Sequence, residues 1–351
     1  MKKAYIYAYD RQNLGDDLFV HTLVKRYPRT KFYMWSDVKN RETFASLKSL
    51  KVFDRDSRFV HFLRRLRPSL VARYRSIIEG RCDAVVYIGG SIFMEYPNWQ
   101  QICTWWDWTS KNRPFFVLGA NFGPYHTEAY RDTMAEIFAN CRDVCFRDRY
   151  SARLFGDTVR MAPDILFSYP MPHVSVKDEQ VFVSVINCAG RDESHGLDIH
   201  DERYVSNMAA LLRTLLNEGK RIVLASFCKE EGDEDGIAKI VSALGCENDP
   251  MVKTLYYDGT NAHELTRTIA ESGGVIATRF HAVILALAAG RPVLPIIYSD
   301  KTKHVLCDLG FSGTVYDLRD DTPWTECAMS RCDIPYADAE RHFARLDEIL
   351  K

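Results

Sequence analysis

Residues 273–296 read GGVIATRFHAVILALAAGRPVLPI. The apolar run at 275–278 is short and partly β-branched, as a buried parallel strand is. From Ala282 to Ala289 the apolar residues continue for a helix's length. Gly290 stops that helix, and Pro292 precedes a second apolar run at 293–297. Strand, helix and strand in such quick succession make a βαβ unit, the element of a parallel sheet covered by helices. Two residues break the apolar pattern. Arg279 and His281 stand in the first turn after the strand, the place where open α/β sheets bind ligands.

The start of that helix carries unpaired N–H groups and a partial positive charge. This alone favours an anion by about 0.3–1 kcal/mol. Arg279 adds a planar fork suited to phosphate or carboxylate. His281 adds a group that titrates near neutral pH. Three features suited to an anion converge on one turn.

The alternation extends outward in both directions. Strands are predicted at 4–9, 31–35, 84–88, 115–119 and 144–147, with helices at 16–27, 99–111 and 128–140 between them. A second series has strands at 181–187, 221–226, 275–278 and 293–297. Tyr169-Pro-Met-Pro-His173 separates the two, because two prolines continue neither sheet nor helix. The predicted class is α/β, with two doubly wound Rossmann-like domains facing a cleft. The first covers 1–172, the second 173–335, and a terminal helix follows at 336–351.

The totals fit this plan. A chain of 351 residues suits two domains, and 46% hydrophobic with 26% charged residues is ordinary for a globular protein. A net charge of −1 supplies no field for nucleic acid. No run reaches the roughly 18 apolar residues of a membrane span. Lys2 and Lys3 precede a first strand and not a signal peptide. The ten cysteines include no C-x-x-C pair, so they are expected to be reduced thiols of a cytoplasmic protein without a metal site.

The loops after the strands hold the other candidates. Asp10-Arg-Gln-Asn-Leu-Gly-Asp-Asp17 follows the first strand. In it Asp16 either caps the next helix or, with Asn13, faces the cleft, where it would take a proton from a sugar hydroxyl. Gly89-Gly90 lets backbone N–H groups approach a ligand. Gly119-Ala-Asn121 is a similar turn, and neither matches a nucleotide fingerprint. Arg147 ends a strand, where it either reaches the cleft or pairs with a carboxylate. Asp164, beside Pro163, is one partner for such an arginine. Asn187, Arg191, His195 and His200 follow the first strand of the second domain. Asn187 and Arg191 are the two placed to reach the cleft.

Taken together, Asn13-x-Gly-Asp16, Gly89-Gly90, RDRYS at 147–151, APD at 162–164 and TRFHAVILALAAGRPVLPI at 278–296 resemble the polysaccharide pyruvyl transferases, in that family's motif order. The resemblance implies a GT-B-like fold, phosphoenolpyruvate as donor and a sugar diol as acceptor, joined as a pyruvate ketal. It implies that Arg147, Arg279 and His281 bind the donor and catalyse, with Gly89, Gly90 and Lys301 as further donor contacts. Arg147 and Arg279 would each hold one anionic group, and His281 would protonate the methylene carbon. Asp16 or Asp164 would be the base. The acceptor is expected on Asn13, Asp16, Trp99 and Asn121. No cofactor is expected beyond the co-substrate. The product would be a bacterial capsule or exopolysaccharide, or its undecaprenyl-diphosphate-linked precursor.

The main alternative is a GT-B glycosyltransferase using a nucleotide sugar. Such enzymes often hold the donor ribose on a glutamate where this sequence has Leu285, which cannot accept those hydroxyls. A non-catalytic sugar-binding protein is a third reading, and Arg279 with His281 argues against it. Two further stretches stand out. Residues 55–76 hold seven arginines, and Phe59, Phe62, Leu63 and Leu66 share one face if helical. Such a segment either packs on the core or lies on an anionic membrane, which would place the protein peripherally on the inner face of the cell membrane. The tryptophan-rich stretch at 96–112 is either core or a stacking surface for sugars.

Overall fold

A computed structural model of the chain describes residues 1–189, 196–334 and 336–351. By packing it forms two units. Unit 1 comprises Met1–Asp10, Asp16–Ser168 and Ala337–Lys351, and unit 2 comprises Arg11–Gly15 and Tyr169–Tyr336.

Unit 1 is built on seven parallel strands: β1 (Lys3–Tyr7), β2 (Lys31–Ser36), β3 (Leu50–Asp54), β4 (Ala84–Ile88), β5 (Phe115–Ala120), β6 (Asp143–Phe146) and β7 (Arg160–Met161). Their order is β3-β2-β1-β4-β5-β6-β7. Between them run α1 (Leu14–Arg26), α2 (Asn40–Thr43), α3 (Arg58–Leu66), α4 (Pro68–Glu79), α5 (Trp99–Asn112), α6 (Glu128–Asn140) and α7 (Arg149–Arg153). Local capping sets several helix starts. Thr127 accepts from Tyr130 N at 3.2 Å, and Asp148 from Ser151 N at 2.7 Å. Asn13 Oδ1 accepts from Gly15 N at 3.2 Å, so Asn13 and not Asp16 caps α1. Asp16 lies inside the first turn, where its charge suits the helix dipole.

Much of the core of unit 1 is aromatic. Phe122 and Phe138 meet Phe155 edge-on at 4.8 and 4.9 Å, and Phe93 meets Phe138 at 5.0 Å. Trp105 and Trp106 of α5 join this core, whereas Trp108 is exposed. Trp106 packs on Phe93 at 5.1 Å and Trp105 on Tyr7 at 4.5 Å.

Unit 2 has six parallel strands: β8 (Lys177–Ser184), β9 (Arg221–Ala225), β10 (Val252–Leu255), β11 (Ser272–Ala277), β12 (Val293–Ile297) and β13 (Tyr316–Asp317), in the order β10-β9-β8-β11-β12-β13. Its helices include α8 (Asp201–Asn217), α9 (Asp233–Leu244), α10 (Ala262–Glu271), α11 (Phe280–Ala288) and α12 (Asp300–Asp308). The opening stretch is therefore β11, α11 and β12, and β11 pairs in parallel with both β12 and β8. In each unit the strand order reverses once, between β1 and β4 and between β8 and β11. Ligands of doubly wound sheets bind at the carboxyl ends of strands at such points. The loops placed there include Gly89-Gly90 in unit 1 and Arg279–His281 in unit 2.

Four strands were not foreseen: β3, β7, β10 and β13. All four are sheet edges. An edge strand buries less surface and carries polar residues, so its apolar signal is weak. The burial of β10 shows this, with two of its four residues exposed.

The C-terminal helices, α13 (Tyr336–Ala339) and α14 (Ala344–Leu350), return to unit 1 from Ala337 onward. Asp347 accepts from Arg26 Nη2 at 2.8 Å and from the Tyr27 hydroxyl at 2.7 Å. Arg160 donates to the Arg341 carbonyl at 2.8 Å. His342 is fully buried, its Nε2 lying 2.9 Å from the Pro163 carbonyl. Burial pushes its pKa down to about 3 from an ordinary 6.5. The unfolded chain then takes up this proton first as pH falls. Stability contributed by the neutral ring is full above pH 6.5 and is lost progressively toward about 3. Urea titrations across this range should show a weaker pH dependence for His342→Gln, by up to one proton, or about 1.4 kcal/mol per pH unit. Equal slopes would contradict the burial argument.

Candidate functional site

In unit 2 the loop after β11 is organised by ionic and backbone hydrogen bonds. Ser184 closes β8, and its Oγ accepts from Thr278 N at 3.0 Å and Arg279 N at 3.1 Å. Arg279 directly precedes α11 and occupies its N-cap position. Its side chain is 5% exposed. The guanidinium donates from Nε to Asp233 Oδ2 at 2.9 Å, from Nη2 to Asp233 Oδ1 and from Nη1 to Glu231. Asp233 is fully buried and held by backbone donors, Phe227 N at 2.9 Å and Cys228 N at 3.0 Å. Burial opposes the charge on Arg279, but Asp233 and Glu231 outweigh it and hold its pKa well above the usual value.

The loop Arg11–Gly15 packs with this unit. Leu14 N donates to the Phe227 carbonyl at 3.0 Å, and Asn13 Nδ2 donates to Glu231 at 3.3 Å. A Cβ on Gly15 would fall 1.7 Å from His281 Nδ1, so only glycine lets the backbone lie against that ring. The motif around Asn13 and the motif around His281 are thus parts of one cluster. Asn13 reaches Arg279 through Glu231. Lys301 lies in the first turn of α12, its ammonium 5.9 Å from the Tyr298 ring centre.

In unit 1 Arg147 follows β6 and is 2% exposed. It donates to Asp164 Oδ2 at 3.1 Å and to Asn121 Oδ1 at 2.7 Å. A Cβ on Gly90 would lie 2.7 Å from both terminal nitrogens, so the glycine makes room for the guanidinium. Asn121 also accepts from Ser91 Oγ at 3.2 Å. Asp164 is fully buried and accepts from Leu166 N at 2.9 Å. Burial raises its pKa, against the pull of Arg147. Asp16 is only partly buried, and its Oδ1 would lie 3.9 Å from a Cβ on Gly89. Gly89, Gly90, Asn121, Arg147 and Asp164 therefore share one neighbourhood, with Asp16 beside Gly89. Trp99 begins α5 and packs edge-on against Tyr130 at 5.4 Å.

Of the other candidates, Asn187 accepts from Lys239 at 2.9 Å, and His200 Nδ1 lies 2.7 Å from Arg203 Nη2. Arg191 and His195 lie outside the described residues. Leu285 is fully buried on α11. The sequence reading missed Glu231 and Asp233. Their loop follows β9, and its acidic run Glu230-Glu231-Gly-Asp233 was the available signal.

A family model described as polysaccharide pyruvyl transferase matches residues 13–300. The chain belongs to the polysaccharide pyruvyl transferase family. The matched span takes in both clusters, from Asn13 through Arg279 and His281. Among curated proteins the chain is similar to the amylovoran biosynthesis protein AmsJ of Erwinia amylovora, with 20% identity over 264 residues. That match covers 68% of this chain and 62% of AmsJ, less than two thirds of that protein's length. Among solved structures it is similar to the UDP-GlcNAc 2-epimerase of Neisseria meningitidis bound to UDP-GlcNAc, with TM-score 0.55 and 12% identity over 99% of this chain and 92% of that one. It is also similar to Alr3699/HepE of Anabaena in complex with UDP-glucose, with TM-score 0.55 and 12% identity over 100% and 92%. These likenesses show the fold, the expected α/β class of GT-B-like type. Among the described residues no helix is long and apolar enough to cross a membrane.

The ionic cluster makes a stability prediction. Asp233→Ala strands a buried guanidinium and should cost about 3–5 kcal/mol in urea unfolding. Glu231 is 26% exposed, and Glu231→Gln should cost about 1 kcal/mol or less. Equal costs would show that Asp233 is not the dominant anchor.

Proposed function

We propose that this protein transfers the enolpyruvyl group of phosphoenolpyruvate onto two hydroxyls of one sugar, forming a pyruvate ketal and releasing phosphate. The supporting observation is the turn after β11. It joins a helix N-terminus, a buried arginine oriented by Asp233, and His281 against the Gly15 backbone.

The donor is an anion at both ends, and its chemistry asks for cationic groups and an acid. In this reading Arg279 and the α11 N–H groups bind an anionic group of the donor, with Lys301 adding charge. Glu231, the more exposed of the two carboxylates on Arg279, yields to the incoming anion, while Asp233 keeps the guanidinium oriented. His281 delivers a proton to the methylene carbon, so positive charge develops on the carbon bearing the phosphate. A sugar hydroxyl adds to that carbon, losing its proton to a base. A second hydroxyl displaces phosphate and closes the ring, its proton leaving with the phosphate. In unit 1 we assign Arg147, Gly89 and Gly90 to the donor as well. Asp16 is the base in preference to Asp164, which is fully buried and serves to position Arg147. Asn13 and Asn121 act through Glu231 and Arg147 and are positioning residues. We assign no sugar contact to Trp99, which packs on Tyr130. The acceptor is a sugar of a bacterial surface polysaccharide or of its lipid-linked precursor. No cofactor enters the scheme.

The alternative, a glycosyltransferase using a nucleotide sugar, draws on the fold and on the UDP-sugar complexes of the similar structures. Leu285 offers no oxygen to a donor ribose, which favours the pyruvyl reading.

Thermal stabilisation by phosphoenolpyruvate and by a panel of nucleotide sugars separates the two. A ligand at 100 times its dissociation constant stabilises by about 2.7 kcal/mol. Phosphoenolpyruvate should stabilise the wild type and His281→Gln alike. Phosphate release in the presence of acceptor should fall about 10²–10⁴-fold in His281→Gln. Stabilisation by a nucleotide sugar and none by phosphoenolpyruvate would refute the proposal. Removing the competing charge in Glu231→Gln should tighten phosphoenolpyruvate binding, measured by the same melts. Weaker binding would mean that Glu231 does not give way to the donor.

A further inference from the structure

The arginine-rich segment at 55–76 has no part in the scheme above. The structure folds it into α3 and α4, two helices separated by Arg67 alone. Ser57 caps α3, its side chain accepting from Val60 N at 3.4 Å. Val60 turns inward and is 2% exposed, whereas Phe59 is 53%, Phe62 58% and Leu66 57% exposed. At three- and four-residue spacing these three side chains share one face. Phe59 touches Tyr74 edge-on but remains half exposed. A soluble helix normally buries such a face.

The charges around it are as one-sided as the apolar face. Between Asp56 and Glu79 the sequence has six arginines and no acidic residue. Arg64 lies 3.8 Å from Asp56, and Arg75 lies 3.3 Å from Glu79. Among the described residues Arg58, Arg65, Arg67 and Arg73 have no carboxylate at ion-pair distance, and all four are exposed. On a 3.6-residue helix Arg58 and Arg65 flank the side that carries Phe62 and Leu66. Beside the two helices, Trp35, Arg64, Val71, Ala72 and Arg75 line a cavity of about 380 Å³.

We infer that α3 docks the protein on an anionic lipid bilayer. Phe59, Phe62 and Leu66 enter the boundary between headgroups and acyl chains. Arg58, Arg65, Arg67 and Arg73 lie among the lipid phosphates. Each half of this pattern excludes another occupant. A nucleic acid would match the arginines but has no use for three exposed apolar side chains. A twofold pairing of α3 with a second copy would bury the apolar side chains but bring the unpaired arginines of both copies together. An anionic bilayer takes both, which is the pattern of interfacial helices. The docking is independent of the donor and holds whether that is phosphoenolpyruvate or a nucleotide sugar.

Flotation of the full chain with vesicles tests this. The protein should float with phosphatidylcholine vesicles containing phosphatidylglycerol and stay behind with phosphatidylcholine alone. High salt should weaken the binding. Arg58→Gln with Arg65→Gln should lower the partition coefficient by about fivefold for each arginine. Phe62→Ser with Leu66→Ser should abolish flotation and leave the melting temperature unchanged, because both side chains are exposed. No flotation with either vesicle, or flotation unaffected by both double variants, would overturn the inference. So would retention on RNA without lipid binding, or a dimer in sedimentation velocity that the Phe62 and Leu66 changes dissociate.

Discussion

The pairing of Arg279 with Asp233 is the constraint on which unit 2 depends. A guanidinium 5% exposed is tolerable only if its charge is balanced and its donors are engaged. Asp233 meets both demands, and two backbone N–H groups just after β9 also fix its carboxylate. Ser184, at the end of β8, fixes the backbone of Arg279. The carboxyl ends of β8, β9 and β11 are thereby joined through one side chain, and α11 starts from that point. A buried ion pair of this kind is weak evidence for net stability, since apolar residues could fill the same volume. What it adds is position. The guanidinium, His281 and the first turn of α11 are held in one arrangement.

Unit 1 repeats the device with other residues. Arg147 leaves the end of β6, meets Asp164 and Asn121, and lies over Gly90 beyond β4. In both units a glycine is needed because a side chain from a distant motif occupies the space that a Cβ would take: Gly15 under His281, and Gly90 under Arg147. The glycines are thus explained by close approach of a neighbour and not by turn geometry. The same reasoning separates the two carboxylates on Arg279. The fully buried Asp233 is held by two backbone N–H groups, while Glu231 is partly exposed.

The arginine-rich helix follows a different logic. Arg147 and Arg279 are drawn inward and neutralised by acids placed to receive them. On α3 and α4 the acids are absent from the sequence between Asp56 and Glu79, and apolar side chains face outward. Such a surface is shaped for something outside the protein, whereas Arg147 and Arg279 are organised from within.

The sequence alone determined the class of fold, because buried parallel strands and their helices are strongly periodic. Among the described residues, nine of the thirteen strands were legible in this way. The other four are sheet edges, where partial burial weakens the signal. Arg279 and His281 stood out because they interrupt an apolar run, and the motif order carried the family. The sequence could not show that Asn13 caps α1 and reaches Glu231, because that contact spans more than two hundred residues. Nor did it point to Asp233, since an acid in an acidic loop is inconspicuous until the fold sets it against an arginine 46 residues away. The sequence also could not show that Asn121 meets Arg147 and that Trp99 packs on Tyr130. Periodicity reports which side of an element is buried, whereas the partner of a buried charge is decided only when distant segments close around it.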